Sequence, residues 1–173
     1  PWLVTGFMHL DGYMDVCDAV LSRRELATRQ RILKDSHCGA FAVIGMVLLA
    51  LCQWSVFLSG SAGESLWGLL LIPVATRACA GLAVLKLRPM GTSQYAAMGR
   101  HGGYAAALAV LLAAAIAVPL VIDRSFAPLA AAAGYGLAVW YGFRQLDGMN
   151  GDISGFALTL GELAGAAVWT LVR

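Results

Sequence analysis

Charged residues are scarce in this chain. Only 13% of its 173 residues are Asp, Glu, Lys or Arg, about half the share usual in soluble domains, whereas 60% are hydrophobic. This composition excludes an ordinary soluble globule and a disordered chain. A net charge of +2, without a basic and aromatic surface, argues against nucleic-acid binding. The composition instead predicts an all-α, polytopic membrane protein that contacts the lipid bilayer.

Several catalytic and redox motifs are also absent. The four cysteines form no CxxC pair, and no Cys/His cluster has zinc spacing, so we interpret them as free thiols. The chain lacks GxxxxGK(S/T), a GxGxxG that opens a helix after a strand, HExxH and GxSxG. ATP-driven transport, dinucleotide redox chemistry and serine or zinc hydrolysis therefore lose support.

Five apolar windows are long enough, or nearly so, to cross a bilayer, which takes about 20 residues. They cover residues 39–58, 65–85, 103–122, 127–143 and 153–172. Residues 1–38 read as the end of an apolar helix whose beginning is missing, followed by a cytoplasmic helical segment with acidic and basic residues. We therefore predict a single integral membrane domain over 1–173, with a five-helix membrane bundle over 39–173.

Lysine and arginine set the predicted orientation. The segments between the windows place nine of these residues on one side and two on the other, and the richer side should be cytoplasmic. Carboxylates hardly influence this rule, yet six of the seven aspartates fall on the same side. These are Asp11, Asp15, Asp18, Asp35, Asp147 and Asp152. The pattern predicts a multi-pass protein of the cell (inner) membrane with a cation-binding, active cytoplasmic face.

The strongest local motif is His-Leu-Asp-Gly-Tyr-Met-Asp-Val-Cys-Asp, residues 9–18. Its aspartates Asp11, Asp15 and Asp18 are spaced i, i+4 and i+7, which places them on one helix face. Three carboxylates there repel each other, and a divalent cation such as Mg²⁺ would offset the repulsion. The alternative interpretation is a solvated acidic first turn stabilised by the helix dipole.

A second acidic segment, Lys34-Asp35-Ser36-His37-Cys38-Gly39, precedes the first window. Lys34 could pair with a phosphate while Asp35 helps to hold a metal ion. Equally, Asp35 or Ser36 could cap the helix that follows.

A third acidic segment, residues 147–155, is a glycine-rich turn before the last window. Backbone N–H groups at a helix N-terminus can bind an anion. The simpler interpretation is an Asn-Gly turn, Asn150-Gly151, with Asp152 as the helix N-cap.

Two charges, Arg77 and Glu162, lie inside the apolar windows, where charges are costly and usually paired or functional. Counting from the cytoplasmic ends of their windows, both lie roughly 14–15 Å deep. A mutual salt bridge and a role in lining a polar substrate cavity are both open. His9, His37 and His101 all lie near the cytoplasmic boundary, and His9 could accept a proton or only mark the interface.

Taken together, these segments resemble the cobalamin (vitamin B12) synthase family. Residues 5–18 are similar to its TGGxHLDGLxDxxDG signature, residues 34–39 to its KDSRxG segment, and residues 148–163 to its GGxTGD…GEL segment. Ala19 stands where the family usually has Gly, His37 where it has Arg, and Asn150 where it has Thr. These departures remove no acidic residue.

The resemblance implies an adenosylcobinamide-GDP ribazoletransferase that requires Mg²⁺. The hydroxyl of α-ribazole, or of its 5′-phosphate, would attack the phosphate that links cobinamide to GMP, and GMP would leave. Expected metal ligands are Asp11, Asp15, Asp18, Asp35 and Asp152. Expected catalytic residues are Asp11, Asp15, Asp18, His9 and Asp35, and expected substrate-binding residues are Lys34, Ser36, Asn150, Gly151, Arg77 and Glu162. A homo-oligomer, or association with other cobalamin-assembly enzymes, is also expected.

Two other functions fit parts of the pattern. A CDP-alcohol phosphotransferase also cleaves a nucleotide diphosphate with spaced aspartates, but its DGxxAR element is missing here. A cation or metabolite transporter would make Arg77 and Glu162 indispensable and the aspartates less so.

Overall fold

The computed structural model describes residues 2–59, 66–91 and 102–171. Within these ranges the protein is α-helical and contains no β-strand, which confirms the predicted all-α fold. The seven helices are α1 (Met8–Leu21), α2 (Leu26–Ile32), α3 (Ala40–Ser59), α4 (Leu66–Lys86), α5 (Gly102–Asp123), α6 (Ala127–Leu146) and α7 (Gly151–Leu171).

Among the described residues, four helices are long and apolar enough to cross a membrane. They cover Ala40–Leu58, Leu66–Lys86, Gly103–Asp123 and Gly151–Leu171. The fifth predicted window, residues 127–143, is also helical and forms most of α6, which is not among these four spans. The predicted positions Ser65, His101 and Val172 lie outside the described residues.

Helix α7 is the centre of the bundle. Its apolar window is 67% buried inside the protein, against 11–28% for the other three candidate spans. Small residues permit this packing, because a Cβ added at Gly161 would lie only 2.8 Å from the Ala131 carbonyl oxygen. Helices α3 and α5 instead expose apolar side chains such as Val47 and Val110, as expected of lipid-facing helices.

Helix α1 runs antiparallel along α7. A Cβ added at Gly12 would lie 2.9 Å from Asp152 Cα, so the two backbones touch. Nearer the start of α1, Thr159 Oγ1 donates a hydrogen bond to the His9 carbonyl (3.4 Å). On the α3 side, Tyr13 Oη donates to the Gly45 carbonyl (3.1 Å). The helix that carries the aspartates is therefore packed into the bundle.

Candidate active site

An acidic pocket lies between α1 and the start of α3. Its volume is about 240 Å³. Three carboxylates come from one face of α1, and a fourth comes from the loop before α3, so two sequence motifs meet here. The predicted site residues that line it are Asp11, Asp15, Asp18, Asp35 and Ser36.

Glycine at position 39 allows this meeting. The Asp18 carboxylate packs directly on the Gly39 backbone, where any Cβ would overlap it. Helix α3 begins one residue later, at Ala40, so neither Asp35 nor Ser36 is its N-cap, contrary to one of the two interpretations of this segment. The Asp35 carboxylate instead accepts a hydrogen bond from the His37 backbone N–H (3.0 Å).

Burial and neighbouring charges change the proton affinities of two of the pocket carboxylates, Asp15 and Asp35. Partial burial, followed by the charges of Asp11, Asp152 and Asp18, raises the pKa of Asp15 from 3.8 to about 6. Asp152, from the third acidic segment, therefore lies close enough to act on the α1 carboxylates. Asp35 behaves in the opposite way, because hydrogen bonds from His37 lower its pKa.

The turn before α7 is held in place by the end of α4. The Met90 N–H donates to the Met149 carbonyl (2.8 Å), and the Met149 N–H donates to the Arg88 carbonyl (2.9 Å). Arg88 also forms an ion pair with Asp147, which ends α6 in the left-handed conformation (φ 58°). Asp147 is thus paired with the Arg88 guanidinium and does not line the acidic pocket.

Asn150, not Asp152, caps α7. Asn150 Oδ1 accepts a hydrogen bond from the Ile153 N–H (3.0 Å), and its Nδ2 donates to Asp152 Oδ2 (2.7 Å). The predicted N-cap was therefore wrong, because Asp152 already lies in the first helical turn. The Asn150 amide fixes the Asp152 carboxylate that α7 presents to α1.

Arg77 and Glu162 form an ion pair, as their equal depth suggested. Both also line a separate, mostly apolar cavity of about 780 Å³, with Trp2 and Phe57 among its walls. Neither they nor His9 line the acidic pocket.

Lys34 and Gly151 are likewise not among the pocket's lining residues, and Lys34 is exposed. The sequence predicted only that His37 lies near the cytoplasmic boundary. Its contact with Asp35 was not predicted, although an Asp side chain often accepts a hydrogen bond from the backbone N–H two residues later.

The carboxylates that line the pocket are oxygen donors, the type of ligand that Mg²⁺ takes. In the described part of the chain, no three His, Cys, Asp or Glu side chains already converge as a complete metal site. Mg²⁺ does not need one, because it usually takes one or two carboxylates and completes its shell with water and substrate phosphates. Burial contributes most to the raised pKa of Asp15, and the remainder comes from repulsion by Asp11, Asp152 and Asp18, which a bound cation would relieve.

Fold and site together define a helical membrane protein with an acidic pocket between α1 and the start of α3. The comparison with known families makes this class specific. Residues 1–170 match the family described as cobalamin-5-phosphate synthase, and the chain belongs to this family.

Three similar proteins share the name adenosylcobinamide-GDP ribazoletransferase. The protein of Clostridium perfringens strain 13 is 37% identical over 95% of this chain and 68% of its own length. That of Geobacillus kaustophilus is 32% identical over 98% of this chain and 69% of its own length. That of Clostridium botulinum strain Alaska E43 is 31% identical over 95% and 68%. No solved structure matches the chain.

Proposed function

We propose that this protein joins α-ribazole, or its 5′-phosphate, to adenosylcobinamide-GDP and releases GMP. Family membership supports this reaction over a CDP-alcohol phosphotransferase or a transporter. The structural observation that carries it is the acidic pocket, which unites aspartates from the first two motifs and has Asp152 of the third close by.

We further propose that the pocket binds Mg²⁺ through carboxylates drawn from Asp11, Asp15, Asp18, Asp35 and Asp152. The bound ion would neutralise the diphosphate and stabilise the oxygen that leaves with GMP. Ser36 lies at the pocket edge, where its hydroxyl can donate to a phosphate oxygen. Lys34, one residue before Asp35, can approach the same phosphates from solvent.

In the proposed reaction the acceptor hydroxyl attacks the phosphorus that carries the cobinamide group. A new P–O bond forms to the acceptor, the P–O–P link to GMP breaks, and the hydroxyl proton must pass to a base. Asp15 is one candidate base, because burial and the neighbouring carboxylates raise its pKa to about 6. His9, half-buried two residues before Asp11, is the alternative base.

The proposed location is the cell inner membrane, with the pocket facing the cytoplasm. The excess of Lys and Arg on the pocket side supports this orientation. Water-soluble substrates would then reach the pocket directly. A homo-oligomer, or association with other cobalamin-assembly enzymes, stays a prediction.

The decisive experiment follows GMP release by the protein reconstituted in lipid vesicles. Adenosylcobinamide-GDP and α-ribazole should give GMP only when Mg²⁺ is present. Asp18→Asn should abolish turnover, whereas Asp123→Asn, at the far end of α5, should not. Full turnover in Asp18→Asn would show that the acidic pocket is not the active site. Solute flux across the vesicle membrane without GMP release would favour a transporter.

A further inference from the structure

A second cavity adjoins the acidic pocket. This groove has a volume of about 650 Å³, and five residues line it: Arg24, Glu25, Thr28, Arg31 and Ile32. Ile32 lines the acidic pocket as well, so a ligand that reacts in the pocket can extend into the groove. The volume is typical of a small-molecule site. The proposed chemistry of the acidic pocket gives this groove no role.

The shape of the groove is set by the docking of α2 on the end of α6. Gln30 Nε2 donates a hydrogen bond to the Leu146 carbonyl (2.8 Å), and Arg29 donates to the Gln145 side chain. Glu25 is the N-cap residue of α2, and its carbonyl accepts a hydrogen bond from the Arg29 N–H (3.0 Å). The backbone that carries the Glu25 carboxylate is therefore held to a docked helix.

Glu25 supplies the one carboxylate among the groove's lining residues. Thr28 Oγ1 donates to Glu25 Oε1 (3.3 Å), which orients the carboxylate and leaves one lone pair of Oε1 and both of Oε2 for a ligand. Within the described residues, no ion pair joins Glu25 to Arg24 or Arg31. An ionised carboxylate only accepts hydrogen bonds, so the ligand group that fits here must carry N–H or O–H donors.

The chemistry of the proposed substrates identifies that group. The cobinamide part, a corrin with many side chains, is too large for the groove, and the benzimidazole base of α-ribazole has no N–H. Guanine presents two adjacent donors, N1–H and the 2-amino group, which match the two oxygens of one carboxylate. We propose that Glu25 binds these two donors of the guanine in adenosylcobinamide-GDP and makes the enzyme select a guanine nucleotide. This inference rests on the proposed function, which places the attached diphosphate in the acidic pocket.

The two arginines of the groove suit the same ligand. The guanidinium groups of Arg24 and Arg31 are planar and can stack on a purine ring. Their charges outnumber that of Glu25, which favours a ligand that carries phosphate. Arg31 is close enough to Asp35 for its charge to act on that carboxylate, so the groove and the proposed diphosphate site are close neighbours.

The test compares adenosylcobinamide-GDP with the corresponding inosine and adenosine diphosphate donors. Hypoxanthine, the base of inosine, keeps N1–H but lacks the 2-amino group, and adenine has an acceptor at N1. In the wild type, KM should rise from the GDP donor to the inosine donor to the ADP donor, because each loses a hydrogen bond to Glu25. Glu25→Gln should raise KM for the GDP donor roughly tenfold to hundredfold, the range for losing charge-assisted hydrogen bonds. KM for the ADP donor should stay within about twofold or fall, and kcat should stay within about twofold for every donor.

Two controls keep this comparison specific. The Glu25 side chain makes no capping hydrogen bond to α2, so Gln leaves the helix intact, and turnover of the ADP donor reports folding of the same variant. Asp123→Asn, which removes a carboxylate at the end of α5, should leave the order of the three KM values unchanged. Equal KM values for the GDP and ADP donors in the wild type overturn the assignment. An equal rise for every donor in Glu25→Gln, or no rise, overturns it as well.

A binding measurement separates this assignment from the proposed function. Calorimetry in the presence of Mg²⁺ follows the binding of free GDP and free ADP to the reconstituted protein and needs no turnover. The wild type should bind GDP roughly tenfold or more tightly than ADP, and Glu25→Gln should abolish that preference. If the wild type releases no GMP but keeps the preference, the proposed function fails and the groove assignment stands. Equal affinity for the two nucleotides, or no binding of either, overturns the assignment.

Discussion

Replacing Asp15 with Asn should stabilise the protein in the absence of divalent cations. The side chain is half-buried and close to three other carboxylates, which together raise its pKa from 3.8 to about 6. The folded chain therefore carries a free-energy penalty whenever Asp15 is ionised. Asparagine keeps the shape and removes the charge, so the penalty disappears.

The size of this effect follows from the pKa. A rise from 3.8 to about 6 corresponds to about 3 kcal/mol of unfolding free energy at most. Solvent reaches much of the carboxylate, and screening reduces the expected gain to about 1 kcal/mol. For a chain of this length, that gain raises the Tm by about 2–4 °C.

The pH dependence has a definite sign. Below pH 3.8 the carboxyl is protonated in both the folded and the unfolded chain, so wild type and Asp15→Asn should melt alike. The penalty develops as the pH rises from 3.8 to about 6 and stays constant above that, so the variant should lead at pH 7.5. Addition of Mg²⁺ should stabilise the wild type more than the variant, because a cation binds the more negative cluster more tightly.

Thermal melts in detergent micelles, followed by circular dichroism with EDTA or with Mg²⁺, measure these differences. Asp35→Asn is the matched control, since hydrogen bonds from His37 lower the pKa of Asp35 and its replacement should not raise the Tm. An Asp15→Asn variant that melts at or below the wild-type temperature in EDTA at pH 7.5 would refute the electrostatic reasoning.

Two further predictions concern packing. Gly12→Ala should destabilise the fold by about 1–3 kcal/mol, because its Cβ would meet the Asp152 backbone at 2.9 Å. The control is Gly136→Ala, where nothing lies within 4 Å of the new Cβ, so its Tm should stay unchanged or rise slightly. Equal Tm values for Gly12→Ala and Gly136→Ala would contradict the close contact between Gly12 and Asp152. Glu162→Ala should cost about 1–3 kcal/mol, because Arg77 loses its ion-pair partner and keeps only its hydrogen bonds to the Pro73 carbonyl and Thr76 Oγ1. In a thermal melt, the double variant Arg77→Met/Glu162→Ala should recover part of that stability. If its loss equals the sum of the losses of the two single variants, the two side chains are not coupled.

Much of this fold was predictable from hydropathy and spacing. Long apolar windows predict α3, α4, α5 and α7, because in lipid the backbone must satisfy its own hydrogen bonds. The i, i+4, i+7 spacing placed Asp11, Asp15 and Asp18 on one helix face without any tertiary information. Equal depth likewise anticipated the ion pair between Arg77 and Glu162, since helical rise converts residue counts into distance.

The remaining features depend on contacts between distant segments. The local sequence predicted Asp152 as the N-cap of α7, but the helix begins at Gly151, directly after Asn150. The preceding turn is held by backbone hydrogen bonds between Met149 and residues 88–90, which are distant in sequence. No local pattern indicates that α2 docks on α6, which requires the Gln30 amide to reach the Leu146 carbonyl across 116 positions. Local sequence patterns cannot predict these contacts, because each contact depends on how the helices pack in the complete bundle.

The carboxylate cluster can persist because rigid packing holds it together. Asp152 on α7 would move away from the three carboxylates on α1 if the two helices were free to separate, so contacts elsewhere must hold the helices together. Gly12 brings α1 against the α7 backbone at Asp152, and Gly39 admits Asp18 at the start of α3. The free energy of helix packing therefore offsets the repulsion and keeps the charges close before any cation arrives. Enlarging either glycine should thus weaken cation binding even in a variant that still folds.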